Sequence, residues 1–268
     1  MASDSAPSKV QHNDLVRDEF TRQANDYAAA PAIRDLDHIA KLVAVVSPNP
    51  DARVLEIATG PGHVAMAFAK VAREVIGVDL TEAPLKIAER MRLERGLSNV
   101  SFRIGDAEHL PFGDNEFDVV VCRFAVHHFE HPVMVIAEMS RVCRIDGIVA
   151  VEDMISSEHS DREEYYNRFE RLRDTSHTRA LPLSELLKTL TSAGLEIVRF
   201  ESAVFDNPVE RWFASAQTTP DRAAEARAMI ERDLVEDLSG ARPWRVDGAL
   251  HFKHRLAIVT ARKLKIVR

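Results

Sequence analysis

The chain has 268 residues, of which 46% are hydrophobic, so it can bury one full core and has room for one large domain or two small ones. Its 35 basic and 42 acidic residues give a formal charge of −7, which excludes a nucleic-acid polyanion as standing partner, because phosphate binding relies on clustered Lys and Arg. No apolar run approaches the roughly 18 residues that a membrane-spanning helix needs, and the first residues lack both a basic start and an apolar stretch. The expectation is a soluble, cytoplasmic protein without stable membrane insertion that acts on a small molecule. Cys122 and Cys143 sit in apolar runs and read as buried thiols in a reducing compartment.

In chain order, residues 1–11 read as a disordered start. Phe20 and Tyr27 then lie seven apart, on one face of a helix. An apolar strand over 53–57 leads into the turn Ala58-Thr59-Gly60-Pro61-Gly62 and an Ala-rich helix over 64–71. A second strand, 74–79, ends in Asp79, and a helix follows over 84–95. The strand over 100–104 runs into Gly105-Asp106-Ala107, and the strand over 117–122 into Arg123. A helix over 132–142 and a strand over 148–152 complete an alternation that specifies parallel βαβ units, with ligands bound at the carboxyl ends of the strands. Asp79, Asp106, Arg123 and Asp153 all fall at such ends.

Beyond Asp153 the alternation is broken by a charge-rich stretch read as a helical cap inserted at about 156–182. A helix over 184–193 with Gly194 as its C-terminal cap follows, then strands over 195–205 and 251–262. Residues 208–238 are helical in composition, with Arg and Glu at three- and four-residue spacing, and read as a solvated surface helix.

Gly60 and Gly62 allow a ligand close to the backbone, and Asp79 can accept both hydroxyl hydrogens of a ribose, so the pair reads as two halves of an adenosine site. The run Gly60-x-Gly62-x-x-Ala65 also satisfies the dinucleotide fingerprint, which keeps an NAD(P)-dependent oxidoreductase open. No Tyr-x-x-x-Lys spacing supports hydride transfer. A cofactor-binding but inactive module is a third reading.

The ordered set Glu56 to Gly62, Asp79, Gly105-Asp106-Ala107 and Arg123 resembles the class I S-adenosylmethionine-dependent methyltransferases. It is closest to the small-molecule branch that includes the ubiquinone and menaquinone biosynthesis C-methyltransferases, over about residues 20–195. The resemblance implies an α/β, Rossmann-like fold with a seven-stranded, mostly parallel sheet, helices on both faces and an antiparallel edge strand. It makes residues 51–268 one domain and residues 1–50 a disordered start plus lid helices. It implies S-adenosyl-L-methionine as cofactor and S-adenosyl-L-homocysteine as product. Glu56, Ala58, Gly60 and Gly62 would surround the amino-acid and ribose part, Asp79 the ribose hydroxyls, Leu80 and Ala107 the adenine ring, Asp106 the adenine amino group, and Arg123 the methionine end. Phe20 and Tyr27 would close the lid. Ala58 departs from the Gly found in many relatives, which crowds the loop.

Methyl transfer is an in-line displacement, so the protein has to align the acceptor and, for an oxygen acceptor, remove a proton. Among Phe124-Ala125-Val126-His127-His128-Phe129, His128 is the favoured base, while His127 is read as packing against the sheet. In Arg173-Asp174-Thr175-Ser176-His177-Thr178-Arg179, His177 is a second candidate base and Arg179 an anion-binding group. Glu152-Asp153 form a carboxylate pair for an acceptor hydroxyl or amine, with Asp153 the nearer. No metal site is expected, because adjacent histidines diverge and no ligand set completes one with His131. Phe124, Phe129, Tyr165, Tyr166, Phe169 and Trp212 are the aromatic residues available to line an aromatic or quinol-like acceptor pocket.

Overall fold

A computed structural model of the chain describes residues 9–265. The disorder expected for residues 1–11 therefore lies outside the described residues, apart from the backbone of Lys9–Gln11, which opens helix α1 (Lys9–Arg22).

The central strands are short Val- and Ile-rich runs buried on both faces: β1 (Arg53–Ile57), β2 (Glu74–Asp79) and β4 (Phe117–Arg123). Their side chains alternate into two separate cores. In β4, Val120 and Cys122 enter the core with helices α7 (Pro132–Val142) and α9 (Leu183–Ser192), while Val119 and Val121 enter the one with α4 (Leu36–Val46) and α5 (His63–Phe68). With β3 (Val100–Ile104), β5 (Cys143–Ile155), β6 (Leu195–Pro208) and β8 (Ala249–Lys263), these strands form one sheet in the order β3-β2-β1-β4-β5-β8-β6. Among the described residues an eighth short strand, β7 (Trp244–Val246), pairs with β8 off this path. The pairs from β3 to β5 are parallel, and β8 is antiparallel to both β5 and β6. The antiparallel strand thus sits one place in from the edge, and the edge strand β6 runs with the rest.

A third apolar cluster lies beyond the strand ends. It joins Tyr166 and Phe169 of α8 (Ser160–Arg173), Trp212 and Phe213 of α10 (Val209–Ser215), and Ala226 and Ile230 of α11 (Pro220–Glu236) to Phe252 and Leu256 of β8. The reading of 208–238 as one solvated helix is corrected by this packing. The stretch is two helices, and α11 buries Ala223, Ala226, Met229 and Ile230 against α8. A charged outer face concealed the small apolar inner one. At the start of the chain, α1, α2 (Ala24–Ala29) and α3 (Pro31–Arg34) lie across the carboxyl ends of the strands, with Asn13 on Asp106 and Arg123 on the Ala32 and Ile33 carbonyls, whereas α4 packs on a sheet face and is capped by Asp35, whose carboxylate accepts from Asp37 N and His38 N.

Candidate active site

The turn after β1 is tightly wound, with Ala58 at φ +51°, Gly60 at +51° and Gly62 at +76°. A Cβ on Gly62 would fall 2.6 Å from the ring of Phe102, so both conformation and space demand glycine there. Ala58 adopts the left-handed conformation at a cost of about 1 kcal/mol. The buried Glu56 ties strand to helix, its Oε2 accepting from Ala65 N at 2.8 Å and from Thr59 Oγ1 at 2.5 Å. Burial pushes its pKa to about 8, against the pull of those two bonds, so at neutral pH it holds its proton. Glu56→Gln, an isostere of the protonated acid, is therefore expected to stay within about 1 kcal/mol of the parent in urea unfolding. Glu56→Ala, which strands the Ala65 N–H, should lose about 2 kcal/mol or more.

Asp79 ends β2 with Oδ2 accepting from Gly60 N and Oδ1 from Thr81 N, both at 2.8 Å, and burial raises its pKa to about 6. Asp106 Oδ1 accepts from Glu108 N at 2.9 Å, and Asn13 reaches Asp106 Oδ2 at 3.5 Å. Asp79, Leu80, Asp106, Ala107, Ala58 and Gly60 line one cleft, roofed by Asn13, Val16, Phe20 and Tyr27. Phe20 and Tyr27 meet edge to face at 5.2 Å, and Phe20 also meets the His128 ring at 5.1 Å.

A recess continues from this cleft past Glu56, Gly60 and His63 to Arg123. Arg123 donates to the carbonyls of Ala32 at 2.9 Å and Ile33 at 3.3 Å, lies over the Phe124 ring at 4.1 Å, and approaches Glu152 at 3.3 Å. It thereby clasps α3 to the end of β4. Phe124 holds φ +52°, an uncommon state for a bulky residue, and its ring borders the cleft, the recess and a third space.

That third space is a largely apolar chamber, open to solvent on one side, bounded by Phe124, His127, His128, Met154, Trp212 and Leu256, among others. His128 and Tyr27 line both chamber and cleft. The His128 Nδ1 meets Ser176 O and Ser176 Oγ, both at 3.1 Å, and burial beside His127 lowers its pKa to about 4. His127 also lines the chamber, with Nδ1 bonded to Asp153 Oδ1 at 2.5 Å. Burial alone would depress its pKa, but the charge and hydrogen bond of Asp153, with Glu170 and Asp174 behind, raise it.

Three expectations meet a different geometry. Asp153 is buried and does not border the chamber. Its Oδ2 accepts from Ala125 N at 3.1 Å and Val126 N at 2.6 Å, and its Oδ1 takes Met154 N besides His127. Glu152 turns to the other face, 2.7 Å from His38, so the two carboxylates do not face one ligand. His177 is buried behind His127, its Nε2 on Asn167 Oδ1 at 2.8 Å, and Arg179 is held by Glu163 and Glu185. Neither lines the chamber. Of the aromatic residues named from sequence, Phe124 and Trp212 border it and Phe129 the cleft, whereas Tyr165, Tyr166 and Phe169 pack in the cluster behind. His131 lies 3.4 Å from Glu108, and among the described residues no three His, Cys, Asp or Glu converge as metal ligands.

Sequence reasoning passed over His127 as the partner of Asp153. The available signal was register: Arg123 pairs with Glu152, so residues just past 123 meet those just past 152.

The histidines make acid stability predictable. His128 and His177, buried uncharged, bind protons only in the unfolded chain between the ordinary imidazole value and their depressed folded values. Their contribution is full above pH 6.5 and lost as pH falls; His128 alone accounts for about 3 kcal/mol by pH 4. His127 opposes this, because its raised pKa adds stability at low pH that is lost as pH rises through the folded value. Urea midpoints from pH 7 to pH 4 should fall, and His128→Gln should flatten that fall.

The comparisons with known proteins agree with this layout. The family described as "Methyltransferase domain" matches residues 48–199. The chain belongs to that methyltransferase family. Its similarity to the uncharacterized methyltransferase YcgJ of Bacillus subtilis is 32% identity over 203 residues, covering 76% of this chain and 80% of YcgJ. The methyltransferase structure from Bacillus halodurans C-125 superposes with TM-score 0.80 at 33% identity, covering 85% of this chain and 99% of that one. The ubiquinone/menaquinone biosynthesis C-methyltransferase UbiE of Burkholderia mallei is 38% identical over 112 residues, covering 41% of this methyltransferase and 46% of UbiE. Among the described residues no helix of the methyltransferase is long and apolar enough to cross a membrane.

Proposed function

We propose that this methyltransferase uses S-adenosylmethionine to methylate a small, partly apolar acceptor in the cytoplasm. The observation that carries the reading is the junction at Tyr27, Phe124 and His128, where a cleft with a nucleotide-type donor set opens beside an apolar chamber. The residues fit the cofactor. Asp79 and Asp106 line one cleft at the ends of adjacent strands, the Gly60 backbone forms its floor, and a Cβ on Gly60 would come within 3.7 Å of the Tyr27 ring. Bound there, the cofactor would supply an electrophilic methyl group.

Asp79 would hold the ribose hydroxyls, Leu80 and Ala107 the adenine faces, Asp106 the adenine amino group, and Glu56, Ala58, Gly60 and Arg123 the border of the amino-acid end, while Gly62, packed against Phe102 and lining neither cleft nor recess, would shape the turn from behind. Tyr27 and Phe20 would exclude water, with the helices before residue 50 acting as a lid on a single domain over 51–268. In the chamber, His127 is the better-placed base for an oxygen or nitrogen acceptor. Asp153 fixes the proton on Nδ1, which leaves Nε2 to receive one. His128, kept neutral, would form the wall between acceptor and cofactor, and His177 would back the base. Calorimetric titration with S-adenosylmethionine, S-adenosylhomocysteine, NAD and NADP tests the cofactor. Micromolar binding of the first pair alone is expected, and binding of the nicotinamide nucleotides alone would overturn the reading.

A further inference from the structure

Behind the chamber wall runs a chain of polar side chains that the methyl-transfer reading does not use. Glu170 is 1% exposed, His254 8% and Asn207 7%, and they lie within the apolar cluster of Phe169, Trp212 and Phe252. Glu170 Oε1 meets His254 Nε2 at 2.7 Å, and His254 Nδ1 meets Asn207 Nδ2 at 2.9 Å. An amide nitrogen only donates, so His254 accepts at Nδ1 and donates from Nε2 to Glu170. This orientation of the Asn207 amide thus sets the His254 tautomer. A buried carboxylate is costly, and an apolar replacement would pack at least as well. Asn207 and His254 both line the chamber, as does Trp212, whose buried Nε1 has no hydrogen-bond partner among the described residues.

We infer that Asn207, held by His254 and Glu170 and assisted by Trp212, forms a second polar station in the acceptor chamber that binds a neutral carbonyl or hydroxyl oxygen of the acceptor. The inference rests on the chamber being the acceptor site. Met154 lies opposite Leu256 in the sheet, next to the Asp153 that holds His127, and His254 lies two residues farther along β8, opposite Phe205. Asn207 itself pairs with Phe252, two residues farther still, and its Nδ2 reaches back to His254, so two to four strand residues, roughly 7–13 Å, separate the stations. Apolar side chains, Met154, Leu256 and Phe205 among them, line the space between the stations. The acceptor class is therefore a ring or short chain with its nucleophile at one end and an uncharged oxygen at the other. Two arginines border the chamber, Arg173 and Arg211, but Asp174, 3.6 Å from Arg173, and Asp206 lie on the same wall and the Glu170 carboxylate lies behind His254, so the wall carries no net positive charge to favour an anion at that end.

The test uses the full chain saturated with S-adenosylhomocysteine and ligand-observed NMR titrations of three probes: 4-ethylphenol, 4-hydroxyacetophenone and 4-hydroxybenzoate. The ketone is expected to bind about tenfold more tightly than 4-ethylphenol, the effect of one or two well-formed hydrogen bonds. Asn207→Leu should abolish that ratio while leaving the affinities for 4-ethylphenol and S-adenosylhomocysteine unchanged. Glu170→Gln should reduce it, as should Trp212→Phe, which keeps a ring but removes the N–H. Equal affinities, no measurable binding of the ketone, an unchanged ratio in Asn207→Leu, or tightest binding of the carboxylate would each overturn the inference. Failure of S-adenosylhomocysteine to bind at the outset would instead reject the cofactor reading.

Discussion

Replacing Asp153 with alanine is expected to lower folding stability by about 3–5 kcal/mol, the cost of breaking a buried, fully bonded charge pair. Four donors converge on this carboxylate: the backbone N–H groups of Ala125, Val126 and Met154, and His127 Nδ1. Without it the loop after β4 has unpaired buried donors, and burial of His127 loses its main opponent, so the imidazole pKa should drop from above its ordinary value. Asp153→Asn separates structure from chemistry. The asparagine oxygen can still accept from Ala125 N and Val126 N, but its NH2 group would take the place of Oδ1, leaving the Met154 N–H without its acceptor and facing His127 Nδ1, which forces the proton onto Nε2. That tautomer cannot take a proton from an acceptor, and turnover on an oxygen or nitrogen acceptor should fall by about 10²–10⁴-fold with cofactor affinity nearly unchanged. Urea unfolding, imidazole NMR titration and single-turnover rates check the three parts. In the parent, the rising limb of the pH–rate profile should lie above the ordinary imidazole value. A limb at or below it, or full activity in Asp153→Asn, would remove His127 as the base.

The second large effect is expected at Asp79. Its carboxylate borders the cleft while bonding Gly60 N and Thr81 N, so it both shapes the turn and offers acceptor capacity to a diol. Charge-assisted hydrogen bonds contribute about 1.5–3 kcal/mol each, so Asp79→Ala should weaken S-adenosylhomocysteine binding by about 10²–10³-fold. Asp79→Asn keeps the volume and one acceptor and should lose about tenfold. With the pKa of Asp79 raised to about 6 by burial, affinity in the parent should decline as pH falls below 6, because the protonated acid accepts fewer hydrogen bonds. Calorimetry of both variants at pH 7.5, and of the parent at pH 5, measures this directly. Undiminished affinity in Asp79→Ala would place the ribose elsewhere.

What the sequence determined by itself is local in origin. Strands β1, β2 and β4 were legible because parallel strands covered on both faces are continuous apolar runs, β3, an edge strand, read from its alternation of apolar and polar residues, and α7 begins at a proline in its first turn. The turn from Ala58 to Gly62, Asp79 and Asp106 was legible because each lies within a few residues of a strand end. The tertiary structure decided what depends on partners far apart in the chain. The continuous apolar run Leu256–Val259 marks β8 as covered on both faces, but that β5 and β6 flank it, and in antiparallel direction, was decided by long-range pairing. The fates of the histidines differ for the same reason. His127, His128 and His177 look alike in sequence, yet the pairing of β4 with β5 gives the first a carboxylate, and α8 gives the last Asn167. An imidazole's charge and tautomer follow from its burial and its one or two hydrogen-bond partners, and only the folded chain supplies those.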